Sequence, residues 1–206
     1  MDVSLLGVTN SVLELAISCI TFIIGLYLFR IQLVTRERKH KLLGIGFLLI
    51  SIAFITKVGL NIAELYFSFS NLFLRSVWIL AYSAFLLFGY TTLDKLFLDI
   101  RRYRLFALQI IIYVLSLFLI YTYSPLFHEL IGAILLTFPV LYFYENYAKK
   151  RSRNALLVLL AFFGLLVSHL SYFLIFINSS LFFVDNLVRV ASYGVLLSVY
   201  VLTRSS

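Results

Sequence analysis

Nine polar residues interrupt stretches that are otherwise apolar: Glu14, Lys57, Asn61, Glu64, Arg75, Glu129, His169, Asp185 and Arg189. A charged side chain within hydrocarbon costs about 2.5–3.5 kcal/mol on insertion scales, so such residues turn inward, pair with one another and mark sites of function. Their spacing supports this. Residues three or four apart share a helical face, which stacks Lys57, Asn61 and Glu64 in one stripe, Asp185 and Arg189 in a second, and Asn71 and Arg75 in a third. Four carboxylates then oppose three permanent cations and one histidine, close to neutral. Such a set can bind a small ligand or a partner segment, or can act as a buried ion network that fixes helix register.

Other chemistries lack their parts. The sequence holds no Gly-x-Ser-x-Gly, His-Glu-x-x-His or Gly-x-Gly-Asp signature, and no enzyme activity is expected. His169 as a metal or haem ligand wants a second ligand, but His128 is nearer the surface and His40 lies at the opposite end, so no cofactor and no metal are expected. Cys19 stands alone, which excludes an internal disulfide and a thiol cluster, and reads as a small apolar filler. The formal charge of +8 would suggest nucleic acid only if the basic residues were gathered on a soluble module. They are spread through short connections instead, and no nucleic-acid partner is expected.

The elements that position these residues follow from composition. Of 206 residues, 63% are hydrophobic and 13% charged, and the mean hydropathy is +1.04, whereas a soluble domain is roughly half apolar and about a quarter charged. The expected fold is an all-α membrane bundle of seven transmembrane helices in a single domain, 1–206. A span needs about 20 apolar residues, which places the helices at 11–33, 42–66, 72–93, 105–124, 126–144, 155–178 and 181–203. Pro125 divides the fourth from the fifth. All but Lys57, Arg75 and Arg189 of the 17 Lys and Arg residues fall at one set of ends, chiefly in 36–41, 94–104 and 149–153. Segment 67–71, Ser124-Pro125 and Ser179-Ser180 carry none. Because Lys and Arg are retained inside, the N-terminus is expected outside and the C-terminus in the cytoplasm of a cell membrane, with the basic connections facing anionic lipids. Residues 1–11 lack a basic n-region and no small-residue cleavage site follows, so the first helix is expected to stay in the protein. The candidate residues then all lie in the outer half. The inner stretches 43–56, 84–93 and 156–167 hold apolar residues, hydroxyls, glycines and one tyrosine.

The first and last three helices also align with each other. Leu13-Glu14-Leu15 matches His128-Glu129-Leu130, each followed by a basic connection, and Asn71-Leu72-Phe73-Leu74-Arg75 matches Asp185-Asn186-Leu187-Val188-Arg189. This predicts a parallel repeat, 11–93 and 126–204, around a linker helix 105–124. The layout is similar to that of retinal proteins, but the last helix carries Arg189 and no lysine. It is similar to the sugar-transporting SWEET class, but Pro125 and Pro139 both lie in the second half, and it is similar to the seven-helix input domains of some sensor kinases, with no diagnostic motif. The functional expectation is a receptor-like or accessory membrane protein, whose outward-facing polar pocket takes a small ligand or partner segment and relays to a cytoplasmic protein partner. A small-solute transporter and a structural subunit of a membrane complex are the alternatives.

Overall fold

Long apolar runs, flanked by basic residues that are themselves good helix formers, fold into helices that outlast the hydrocarbon. A computed structural model describes residues 3–67, 72–98, 107, 110, 111, 114, 126–172 and 181–202. It contains α1 (Val3–Thr35), α2 (Arg38–Phe67), α3 (Leu72–Leu98), α4 (Leu126–Lys150), α5 (Arg153–Ser171) and α6 (Leu181–Leu202), with no strand among the described residues. All six are long and apolar enough to cross a membrane, the architecture of a multi-pass membrane protein. The predicted span 105–124 lies almost wholly outside the described residues, as do Asn71 and the Ser124-Pro125 and Ser179-Ser180 turns.

Most helices exceed their predicted bounds. α1 begins at Val3 rather than near residue 11, α3 runs on to Leu98, and α4 reaches Lys150. The loss of apolar character marks where hydrocarbon ends; the helix continues into water. Asp94, expected in the connection 94–104, therefore lies on α3 and is buried.

Each described helix has two neighbours along its length, and the six close into a ring in chain order, with α6 returning to α1. Side-chain contacts fix directions. Gly25 abuts Gly44 while Glu14 meets Lys57, and Gly46 abuts Gly89 while Gly59 abuts Trp78, which sets α2 antiparallel to both α1 and α3. Phe54 meets Tyr193 and Phe47 meets Tyr200, so α6 runs antiparallel to α2 and in the same direction as α1. The segments 36–41 and 149–153 thereby come to one end of the ring, called here the basic end. The two glycine pairs are sites of close approach. A Cβ on Gly44 would sit 3.2 Å from the Gly25 carbonyl oxygen, and one on Gly89 would sit 3.0 Å from that of Gly46, the small-residue packing on which membrane helices rely.

Burial follows helical period in each span. On α5, Leu160, Phe163, Val167 and Leu170 are exposed, whereas Val158, Phe162, Leu165, Ser168 and His169 are buried. The outward face is apolar, as lipid requires, and the polar residues are on the inside.

The α1–α2 and α4–α5 connections are the same turn. Arg36 (φ 56°) and Arg151 (φ 46°) are the two non-glycine residues at positive φ among those described. Each donates its backbone N–H four residues back, Arg36 to Gln32 at 2.8 Å and Arg151 to Tyr147 at 2.7 Å, closing the helix as a left-handed cap does. After the first turn, the exposed Lys39 ammonium lies 2.7 Å from Glu37, and this bond holds the Glu37 carboxyl below its usual range. After the second, Ser152 caps α5 by accepting from Ala155 N at 3.3 Å.

Candidate functional site

At the end remote from the basic turns, two polar clusters fill the ring. The first joins α1 to α2. Glu14 is fully buried, with Oε1 2.7 Å from Lys57 Nζ and Oε2 accepting from Asn61 Nδ2 at 2.7 Å. The Lys57 contact is close without being an aligned hydrogen bond, so it acts as a charge pair. Lys57 Nζ also lies 5.5 Å from the Tyr82 ring centroid, a cation–π contact to α3. One turn before Glu14, Asn10 Oδ1 accepts from Asn186 Nδ2 at 3.3 Å, tying α1 to α6.

The second cluster centres on Arg189, 1% exposed. Its Nε donates to Ser168 Oγ at 2.6 Å and to Asp185 Oδ1 at 3.3 Å. Its Nη2 donates to Glu129 Oε2 at 2.9 Å and lies 3.1 Å from Asp185 Oδ2. Glu129 Oε2 also meets His169 Nδ1 at 2.5 Å, and His169 Nε2 is 2.9 Å from the Tyr90 hydroxyl. Side chains from α3, α4, α5 and α6 thus share one network. Gly132, one turn beyond Glu129, makes the room: a Cβ there would sit 2.8 Å from both Cε1 and Nδ1 of His169.

Charge is balanced but not every polar atom is used. Glu14 and Lys57 cancel. Glu129 and Asp185 against Arg189 leave one negative charge with a neutral His169 and none with a protonated one. Besides Glu14 Oε1, the buried atoms without a hydrogen-bond partner include Arg189 Nη1, a donor, Asn186 Oδ1, an acceptor one turn away, and His169 Nδ1, whose contact with Glu129 is close without being an aligned hydrogen bond. Burying such atoms unpaired costs about 1–3 kcal/mol each.

Of the nine residues singled out by sequence, Glu14, Lys57 and Asn61 meet in the first cluster, and Glu129, His169, Asp185 and Arg189 in the second. Glu64 and Arg75 lie on α2 and α3, and their side chains are outside the described residues. Sequence reasoning missed Asn10, Ser168, Tyr90 and Asn186. Asn10 falls four residues before Glu14 and Asn186 three before Arg189, so the stacking rule that found the stripes would have found both. Tyr90 stood in a stretch read as apolar lining. Among the described residues, no group of three or more His, Cys, Asp or Glu is placed to hold a metal ion. No known protein family, curated protein or solved structure matches the chain.

Proposed function

We propose that this chain is a seven-helix, receptor-like membrane module, with its N-terminus outside and its C-terminus in the cytoplasm, whose Arg189 network takes a small polar ligand or partner segment. The observation that carries this reading is a pair of open valences one turn apart on α6. Buried polar groups are nearly always bonded, and each exception calls for an explanation. A donor on Arg189 Nη1 and an acceptor on Asn186 Oδ1 suit a neutral ligand that offers both a carbonyl or hydroxyl oxygen and an N–H or O–H. A free anion suits less well, since the cluster already carries one negative charge when His169 is neutral. Because four helices meet in the network, a ligand that reorients Arg189 acts on all four, and their basic ends supply the route to a cytoplasmic partner.

The competing reading is a register lock with no ligand, favoured by the pairing of Glu14, Glu129 and Asp185 within the chain. A thermal-shift screen of neutral amides and polyols against the purified protein separates the two. A ligand that binds only the folded state raises stability as RT ln(1 + [L]/Kd), and Arg189→Lys, which keeps the charge but loses the planar fork, should abolish that rise. The absence of any stabilising compound, or an unchanged rise in Arg189→Lys, rejects the site.

The parallel repeat belongs to the same proposal. Its supports are the matching left-handed arginines at 36 and 151, which share the 115-residue offset of Glu14 and Glu129, and the pairing of each glutamate with a base on the following helix, Lys57 or His169. The ring order also maps onto itself when α1–α3 are exchanged with α4–α6.

A further inference from the structure

Asp94 is a buried carboxylate set apart from both clusters and from the basic turns. It is 1% exposed, and neither carboxylate oxygen has a hydrogen-bond partner. It lies toward the basic end of α3, one turn beyond Tyr90 and on the same face, with Cβ atoms of such a pair about 5–6 Å apart. The helices flanking α3 in the ring are α2 and α4. Their titratable groups at this end are the basic run 38–41 on α2 and Tyr142, Tyr144, Glu145, Tyr147, Lys149 and Lys150 on α4. Lys39 and His40 pair with Glu37, and among the described residues no ion pair or hydrogen bond reaches Asp94 from any of them, or from its neighbour Lys95. An ionised carboxylate without a cation or donor is untenable in such surroundings, whereas a carboxylic acid is tolerated.

We propose that Asp94 is a proton-binding site, a neutral acid in this conformation. This proposal is independent of the ligand reading and needs no ligand in its test.

The test is infrared spectroscopy of the full chain in lipid bilayers across a pH series. The expected result is a protonated-carboxyl C=O band at neutral pH that Asp94→Asn removes. Asp94→Asn is isosteric with the neutral acid, so its melting temperature should equal or exceed that of the wild type. A band unaffected by Asp94→Asn, or a lower melting temperature for that variant, overturns the proposal.

Discussion

The Glu14–Lys57 pair tests how the polar interior is held. Glu14 is fully buried with two partners, Lys57 and Asn61, both at 2.7 Å, while the Lys57 side chain retains 18% of its exposure. Lys57→Met leaves a buried carboxylate with Asn61 alone and should cost about 4 kcal/mol, the usual penalty for breaking a buried pair. Glu14→Leu leaves an ammonium that keeps the Tyr82 ring and some solvent, so its cost falls at the low end of the range for a membrane charge, about 2.5 kcal/mol. Independent effects would sum to about 6.5 kcal/mol in the double variant. Since the second substitution removes the charge orphaned by the first, a coupling of about 3 kcal/mol should bring the double to about 3.5 kcal/mol or less. Reversible unfolding in mixed micelles, followed by circular dichroism against denaturing detergent, measures all three. A double variant within about 0.5 kcal/mol of the sum would show that the two residues do not act as a pair.

Other consequences are equally specific. Gly132→Ala should displace the His169 imidazole and cost about 1–3 kcal/mol by overpacking, whereas Gly194→Ala, with nothing within 4 Å of its added Cβ, should gain up to about 1 kcal/mol of helix propensity; melting temperatures of the two separate the effects. Arg36→Gly and Arg151→Gly should each be neutral or slightly stabilising, since glycine relieves the left-handed strain, and valine at either position should cost about 1–2 kcal/mol; unequal responses would speak against the turns being equivalent. Ser152→Ala should destabilise by about 1 kcal/mol through the lost cap of α5, measured by the same unfolding. Cysteines at Arg38 and Arg151 in a Cys19→Ser background should resist impermeant thiol reagents added to intact cells, and labelling at either would reverse the orientation.

Much of this interior was legible in the sequence because hydrocarbon leaves charged residues few places to go. Lys57 and Asn61 share one stripe, and both meet Glu14. Asp185 and Arg189 form another, and they are in contact. What the sequence did not show is which stripe meets which, because that depends on ring order, and the ring order rests on packing such as Gly25 with Gly44. Tyr90 escaped notice because a lone tyrosine in an apolar run carries no periodic signal. Asp94 was misplaced because a charge beside Lys95 resembles the start of a connection, while helix geometry carries α3 on to Leu98. Asn10 was lost in the same way at the other end, where α1 begins earlier than its apolar run.

The central claim is that the Arg189 cluster is an occupied site in the working protein. Replacing Asp185 and Arg189 together, by leucine and methionine, tests it most directly when melting is followed with and without a compound that stabilises the wild type. The account predicts a folded protein, less stable by the loss of Arg189 from buried Glu129, which keeps His169 beside it, in which the compound no longer raises the melting temperature. A double variant that folds and is still stabilised to the wild-type extent would contradict it.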